Sequence, residues 1–309
     1  MGACGYGDVE ALNAAIDGWD ALLAKLRPSA VIADHSPILS LAAYGRFPLI
    51  PIGDGFVTPP ELPGGGFPGL GVGRSPVWPV EQLLENARLA QARRGRALPN
   101  SLVAIVRGIG QVVCVPPELD IHAETRAKPA AGPWEVAESP LPPPASPSFF
   151  AYLRMRHRLS RLAVEALIET GIPGAVYLRD SSPELDARLD KAGIRRYASP
   201  PAIRDALRDT TLFLHHGGIG SMIDGCLAGR TQLFFPRHLE QVENSRRALA
   251  VVPGCYRAGS GMTPDSLKRD LPTLAENRKA LALAQETATS FCRRRGTAWE
   301  ALQTLLADM

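Results

Sequence analysis

Residues 211–222 read TLFLHHGGIGSM and decide the fold. The apolar run at 211–214 predicts a buried strand, and residues 219–228, followed by Gly229, predict a helix. A strand, a glycine-rich turn and a helix in this order are typical of a parallel α/β sheet, whose turns of this kind lie at the carboxyl edge. The sequence therefore predicts a ligand-binding turn at the edge of a parallel sheet.

The same alternation of short apolar runs and amphipathic segments extends in both directions from this turn. The predicted strands are residues 31–33, 48–52, 111–115, 149–153, 175–178, 194–197, 211–214 and 231–235. The predicted helices are residues 9–26, 37–45, 80–94, 157–170, 183–192, 201–208, 219–228 and 240–250, with a helix-rich tail over 264–308. Residues 53–79 are rich in glycine and proline and predict a long loop.

A proline-rich segment over 128–147 separates two runs of this alternation. Proline discourages both helix and sheet interior, so we predict a linker here. It divides the chain into an α/β domain over 1–127 and a second α/β domain over 148–309 that includes the C-terminal helices.

The composition bounds the class of protein. Apolar residues make up 45% of the 309 residues and the net charge is +3, which indicates a globular chain and argues against nucleic acid as a partner. The five cysteines are scattered and form no CxxC pair, so we expect a reducing, cytoplasmic location and no metal site. The sequence has no apolar stretch long enough for a membrane span.

The glycine turn has the chemistry of an anion site. Gly217, Gly218 and Gly220 let backbone N–H groups approach a ligand closely, and the positive end of the following helix points at the same place. Ser221 adds a hydroxyl donor and His216 an imidazole donor. We therefore expect a diphosphate here, the alternative being a tight structural turn with two packed histidines.

Polar residues downstream add groups that suit a sugar nucleotide. Asp224 lies in the first turns of the predicted helix, eight positions after His216. Beyond the next strand, Glu240 and Gln241 place a carboxylate beside an amide, a pair that can accept and donate several hydrogen bonds to a polyhydroxylated sugar. Taken alone, that pair is as well explained by the start of a solvated helix.

Residues 212–249 resemble the donor-binding segment of the family-one glycosyltransferases, which have the GT-B fold. That segment has a strand, His-Gly-Gly-x-Gly-Ser/Thr, an acidic residue, Gly, a second strand, Pro and then Asp/Glu-Gln with Asn beyond. The residues that match this pattern here are His216, Gly217, Gly218, Gly220, Ser221, Asp224, Gly229, Pro236, Glu240, Gln241 and Asn244.

The resemblance implies an α/β, GT-B-like architecture of two Rossmann-like parallel-sheet domains, the first incomplete, with the sugar donor between them. It implies an inverting transferase that moves a hexose from a UDP- or dTDP-sugar to a hydroxyl of a small-molecule or lipid acceptor, without metal or cofactor. The implied donor contacts are His216, Gly217, Gly218, Gly220 and Ser221 for the diphosphate, Asp224 for the ribose, Glu240 and Gln241 for the sugar, and Tyr197, Ala198 and Ser199 for the base.

The chain departs from the family pattern in the first domain. Members open with a strand and a glycine loop that carries a general-base histidine, and this sequence shows no such segment; a fragment and a shortened domain both explain that. Asp34 matches the acidic residue that orients the base, and His35 is a candidate substitute base. The loop after strand 149–153 lacks the usual Gly-Ser, so Arg154 or Arg156 either contacts a phosphate or faces solvent.

Two other functions stay open at this point. A chain without the general base could bind a nucleotide-sugar and not turn it over. An epimerase of the same fold would act on the sugar nucleotide itself, and it would need further acid and base carboxylates.

Overall fold

The computed structural model describes residues 1–63, 65–69, 77–134, 138–259, 261–293 and 296–309. The chain forms two compact units, Met1–Trp134 with Gly296–Met309, and Glu135–Arg295. Parts of the predicted loop (64 and 70–76) and of the predicted linker (135–137) lie outside the described residues. Within the described ranges, no helix is both long and apolar enough to cross a membrane.

The first unit holds a small parallel sheet with strand order β1-β2-β3. Its elements are α1 (Val9–Leu26), β1 (Val31–Asp34), α2 (Pro37–Ala43), β2 (Leu49–Gly53), α3 (Val80–Ala92), α4 (Leu102–Arg107) and β3 (Val112–Val113). Helix α1 begins where the Asp8 carboxylate accepts the N–H groups of Glu10 and Ala11, a side-chain cap that satisfies two otherwise unpaired donors. Its buried residues Leu12, Ile16 and Leu23 pack into the apolar core of this unit.

The second unit is built on a six-stranded parallel sheet with order β6-β5-β4-β7-β8-β9. Its strands are β4 (Phe149–Arg154), β5 (Gly174–Arg179), β6 (Arg195–Arg196), β7 (Leu212–His215), β8 (Thr231–Phe234) and β9 (Cys255–Arg257). Its helices are α5 (Arg158–Thr170), α6 (Pro183–Lys191), α7 (Ile203–Ala206), α8 (Ile219–Ala228), α9 (Leu239–Val251), α10 (Pro264–Glu276) and α11 (Arg278–Cys292). The two parallel sheets confirm the predicted α/β class.

Alternate residues of β4 supply apolar groups to both faces of this sheet. Phe149 belongs to a core with α5 and α10, whereas Phe150 stacks on Phe213 with ring centroids 5.5 Å apart on the other face. A strand buried on both faces has a near-continuous apolar sequence, which is why the apolar runs at 149–153 and 211–214 predicted β4 and β7.

A buried arginine ties the proline-rich segment to the second unit. The Arg230 side chain is 1% exposed and donates to the carbonyl oxygens of Leu207 and Pro142, each at 2.9 Å. Burial lowers the pKa of this guanidinium to about 10, which still leaves it charged at neutral pH. Its carbonyl partners satisfy the buried charge and fix the segment around Pro142 against the loop after α7.

The last helix, α12 (Ala298–Ala307), departs from the predicted domain division. We predicted the whole tail from 264 as part of the second domain, and α10 and α11 lie there. Ala298 and Leu302 of α12 instead form an apolar cluster with Ile50, Val112 and Cys114 of the first unit. The short sheet of that unit needs a helix on this face, and α12 supplies it.

Candidate active site

The sheet of the second unit has a topological switch point between β4 and β7. From β4 the chain continues to β5 on one side, and β7, its other neighbour, leads to β8 on the opposite side. Ligands of open α/β sheets bind in the crevice outside the carboxyl ends of the strands at such a point. The glycine turn after β7 and the loop after β4 both lie here.

Gly217 and Gly220 are glycines for different reasons. Gly217 has a φ of 81°, and a Cβ there would lie 2.5 Å from Ser245 Oγ, so the fold itself requires glycine. Gly220 is exposed, and among the described residues no atom outside its own stretch of helix lies within 4 Å of where its Cβ would be. Packing does not explain a glycine at 220, and the open space leaves room for a ligand to approach the backbone.

Helix α8 begins at Ile219 with Gly218 as its N-cap, and within the described part of the chain no side chain caps it. The first N–H groups of a helix have no partner inside the helix and carry partial positive charge. Gly218, Ile219 and Ser221 are half-exposed. Of the residues that we predicted to hold a diphosphate, Gly218, Gly220 and Ser221 are thus accessible at the switch point, whereas Gly217 is buried and its N–H donates to His215 Nδ1.

His215 holds the glycine turn in place. Its ring is buried and stacks on Phe213 with centroids 4.3 Å apart. Its Nε2 donates to Gln232 Oε1 at 2.9 Å, and its Nδ1 accepts the Gly217 N–H at 3.2 Å. Burial lowers the pKa of His215 to about 3, so the neutral tautomer with the proton on Nε2 persists at physiological pH. Sequence reasoning assigned no role to this residue, because nothing in the motif indicates its partner on β8.

His216 bridges three segments and does not present a free donor. Its Nδ1 donates to the Phe235 carbonyl oxygen at 2.9 Å, and its Nε2 accepts the Arg154 N–H at 2.8 Å. The two partners fix the tautomer, since one can only accept and the other can only donate. Burial and the nearby Arg237 lower the pKa of His216 to about 4.

These contacts bear on the sequence-based interpretation of His216, whose contact with a diphosphate stays a prediction. We predicted that the imidazole donates to a diphosphate, yet both ring nitrogens are occupied in this arrangement. The ring ties the glycine turn to the last residue of β4 and to the residue that follows β8. Within the described part of the chain, the start of α8 has no side-chain cap, whereas both nitrogens of the imidazole have partners.

His157 is a member of the site that sequence reasoning missed. It is the N-cap of α5, it is half-buried, and its ring lies edge-on to that of His216 with centroids 5.8 Å apart. Its Nδ1 lies 3.3 Å from Ser160 Oγ. Burial, together with Arg237, Arg158 and Arg161, lowers the pKa of His157. Its position directly after β4 was the available signal.

Arg154 at the end of β4 and Arg156 in the loop after it are engaged with one carboxylate. Arg154 Nε lies 3.0 Å and Arg156 Nε 3.5 Å from Asp180 Oδ2. Arg156 is largely exposed, with 81% of its side-chain surface accessible. Of the two sequence-based possibilities, the solvent-facing side chain describes Arg156, and a phosphate contact by Arg154 or Arg156 stays a prediction.

The start of α9 lies against the glycine turn. Gln241 is buried, its Oε1 accepts the Arg237 N–H at 2.9 Å, and its Nε2 lies 4.0 Å from the position of a Cβ on Gly218. Glu240 is half-buried, with Oε2 4.0 Å from His238 Nδ1. The residues predicted to hold the sugar thus lie beside the predicted diphosphate turn.

Asp224 lies on α8 beyond the glycine turn and is half-buried. Burial raises the pKa of its carboxyl, and Arg204 of α7 opposes that rise. A carboxylate that is partly desolvated and near a single cation is a good hydrogen-bond acceptor for a sugar hydroxyl. Its predicted contact with a ribose stays a prediction.

The residues predicted to contact the base follow β6. The Tyr197 ring is edge-on to Phe150 at 5.7 Å, and the Arg195 guanidinium lies 4.9 Å from its centroid. Ala198 and Ser199 are exposed. Three strand spacings separate β6 from β7, roughly 14 Å, so a ligand that reaches from the glycine turn to Tyr197 must lie across the carboxyl ends of β4 and β5.

The two residues proposed for the acceptor side, Asp34 and His35, lie at the end of β1 in the first unit. Both are exposed, and His35 has a φ of 41°, which is uncommon for a residue with a side chain. Such backbone persists where the surroundings determine it, and it is concentrated at functional sites.

Comparison with solved structures identifies the architecture. The glycosyltransferase VinC in complex with dTDP is 16% identical and has a TM-score of 0.66, with 98% of this chain and 81% of that chain covered. SnogD from Streptomyces nogalater, also a glycosyltransferase, is 17% identical with a TM-score of 0.62, covering 97% and 79%. SsfS6 from Streptomyces sp. SF2575, a glycosyltransferase complexed with thymidine diphosphate, is 16% identical with a TM-score of 0.61, covering 98% and 76%.

At these identities the likeness establishes the fold. The chain has the GT-B fold of those enzymes, as the resemblance implied. No protein-family model and no curated protein matches the sequence.

Proposed function

We propose that this protein is a glycosyltransferase that binds a nucleoside-diphosphate sugar at the switch point of its second unit. The observation that carries the proposal is the start of α8, where an uncapped helix and an unhindered Gly220 leave backbone amides open at the carboxyl edge of a GT-B sheet. Thymidine diphosphate in two of the similar structures supports the same ligand class here.

The geometry suggests how the leaving group is stabilised. As the bond between the anomeric carbon and the diphosphate oxygen breaks, the electron pair moves to the diphosphate. Preorganised amides at the start of α8 stabilise the charge that develops there. His215 and His216 contribute by holding those amides in position, and His157 adds an imidazole beside them.

The remaining donor contacts in the proposal come from α8, from the start of α9 and from the residues after β6. The ribose lies near Asp224, the sugar near Glu240 and Gln241, and a uracil or thymine base near Tyr197, Ala198 and Ser199. The transferred group is a hexose, and attack of the acceptor hydroxyl on the face opposite the diphosphate inverts the anomeric centre. Asp34 and His35 are the candidates for removing the acceptor proton.

Calorimetry on the full chain tests the donor half of this proposal. We expect one site for dTDP or UDP, with the corresponding nucleoside bound at least about tenfold more weakly because it lacks the diphosphate. Equal binding of nucleoside and nucleoside diphosphate would overturn the assignment of the α8 turn.

A turnover assay tests the transfer half. Incubation with UDP- and dTDP-hexoses and hydroxyl-bearing acceptors should release nucleoside diphosphate only when donor and acceptor are both present. Tight binding without release, across acceptors of varied size, would instead support the nucleotide-sugar-binding module considered above.

A further inference from the structure

His157 has a ring nitrogen without a partner beside the glycine turn. The centroid of its ring lies 5.8 Å from that of His216, the residue before Gly217. Its Nδ1 lies 3.3 Å from Ser160 Oγ, a hydroxyl that can accept a hydrogen bond. Within the described part of the chain, its Nε2 has no hydrogen-bond partner. The half-buried ring can therefore gain one partner at Nε2.

The neighbouring ring of His216 cannot take up a proton without losing a contact. Its Nδ1 donates to the Phe235 carbonyl oxygen, and its Nε2 accepts the Arg154 N–H at 2.8 Å. A proton on that Nε2 would place two donors against each other. Of these two rings, only His157 can become an imidazolium while the contacts of the turn stay intact.

The charges that act on the His157 ring come from arginines. Arg158 and Arg161 lie on α5, the helix that His157 precedes, and Arg237 follows β8. Burial, together with Arg237, Arg158 and Arg161, lowers the pKa of His157 below its ordinary value of 6.5. The ring is therefore neutral at physiological pH in these surroundings.

The adjacent strand ends do not offset these cations. Arg154 at the end of β4 and Arg156 after it share the carboxylate of Asp180, which follows β5, so two cations face one anion. A diphosphate at the start of α8 would add negative charge beside His157. Negative charge within a few ångströms favours the protonated form of an imidazole.

We propose that His157 takes up a proton as the donor diphosphate binds at the start of α8, and that its Nε2 then donates a hydrogen bond to a phosphate oxygen. This inference rests on the proposed function and adds a charged donor to the backbone amides. During transfer the acceptor oxygen forms the new bond to the anomeric carbon and loses its proton to the base of the first unit. The electron pair of the broken bond stays with the diphosphate, and the imidazolium proton stays on His157.

Isothermal titration calorimetry of the full chain near neutral pH, in buffers of different ionisation enthalpy, measures the proton uptake. The ligands are the β-phosphate methyl esters of dTDP and UDP, which keep the diphosphate, lack the sugar and have no phosphate group that titrates near neutral pH. A proton taken up on binding therefore goes to the protein. We expect uptake of about half a proton to one proton per bound ester, the range for a single imidazole.

The affinity of the wild type for the ester should depend on pH in one direction. It should rise as the pH falls from 8 to 6, by up to about tenfold per pH unit, because only the bound state holds the proton over this range. An affinity that is independent of pH between 8 and 6 would overturn the proposal without any variant.

Two histidine variants identify the residue that takes up the proton. His157→Gln keeps a hydrogen-bond donor but cannot be protonated near neutral pH, so it should show no uptake, bind the ester severalfold more weakly at pH 6 and bind it as well as the wild type at pH 8. His238→Gln is the control. Burial and Arg237 lower the pKa of His238 too, but its Nδ1 lies 4.0 Å from Glu240 Oε2. This variant should retain the uptake; uptake that persists in His157→Gln, or that is lost in His238→Gln, would contradict the assignment.

The same titrations separate this inference from the proposed function. Binding of an ester without proton uptake refutes the role of His157 alone. Binding of neither ester refutes the proposed function, and the role of His157 with it. Binding with an uptake that His157→Gln abolishes supports both.

Discussion

At the scale of single residues, a substitution of Gly220 should weaken ligand binding without destabilising the fold. It lies in the first turn of α8 with open space around the position of its Cβ, so the fold tolerates a methyl group there. Gly220→Ala should leave the protein equally stable or more stable by up to about 1 kcal/mol, because alanine favours helix over glycine. Affinity for dTDP should fall about tenfold or more, since the methyl group occupies the space of the phosphate.

Gly18→Ala is the matched control for that change. Gly18 also lies inside a helix, α1, with no described atom within 4 Å of its Cβ position beyond its own helix, but it belongs to the other unit. It should show the same effect on the melting temperature and none in the dTDP titration. If the two variants bind dTDP equally well, the α8 turn does not contact the diphosphate.

The buried imidazole of His215 should make stability depend on pH. Its pKa is about 3 in the folded state, against about 6.5 when unfolded, so between these values the unfolded chain binds a proton that the folded chain does not. The contribution of His215 to the free energy of unfolding is therefore fully present above pH 6.5. It decreases on acidification by up to about 1.4 kcal/mol per pH unit. The free energy of unfolding, measured by urea denaturation between pH 4.5 and 7, should depend less steeply on pH in His215→Gln than in the wild type. The same pH dependence in both proteins would mean that His215 is not buried as a neutral ring.

The contacts of His215 and His216 also show what a local sequence motif can predict and what it cannot. The sequence predicted the glycine turn, its anion chemistry and its place at a sheet edge from the spacing of residues 211–222. It could not predict that His216 accepts the Arg154 N–H and donates to Phe235, because both partners come from other strands. His157 was not predicted as part of the site for the same reason, because its contact with His216 joins distant parts of the sequence.

At the scale of secondary-structure elements, the sequence pattern predicted the long helices and the buried strands, but it missed one short helix and one short strand. The six-residue α4 and the three-residue, partly exposed β9 were not predicted, since too few residues carry a pattern. The placement of α12 failed differently. An amphipathic pattern indicates that a helix has a buried face, but it does not indicate which unit covers that face.

The packing of α12 predicts which unit a mutation will affect. Leu302→Ala removes a side chain that is 4% exposed in the cluster with Ile50 and Val112, and it should destabilise the first unit by about 2–5 kcal/mol. Amide hydrogen exchange should accelerate in β2 and β3 and stay unchanged in β7 and β8. Leu306→Ala, on the same helix but 38% exposed, should change stability by less than about 0.5 kcal/mol. Faster exchange in β7 and β8 would contradict this assignment of α12.

At the scale of the whole molecule, the two units can be followed separately by spectroscopy. All four tryptophans, Trp19, Trp78, Trp134 and Trp299, belong to the first unit, whereas circular dichroism reports on the helices of both. Saturation with dTDP at 100 times its Kd should stabilise the second unit by about 2.7 kcal/mol. The melting temperature of that unit, followed by circular dichroism, should therefore rise. The melting temperature followed by tryptophan fluorescence should rise less. A shift seen only in fluorescence would place the nucleotide site in the first unit.

The return of the chain through α12 has a consequence for biosynthesis. On the ribosome, residues 1–134 are made before the second unit, but Ile50 and Val112 cannot be covered by Ala298 and Leu302 until those two residues have been made. The second unit, which is continuous from Glu135 to Arg295, is complete before then. Nascent chains should therefore acquire a protease-resistant second unit while the first unit, translated earlier, still exposes an apolar sheet face, which is the reverse of the usual amino-to-carboxyl order of domain folding.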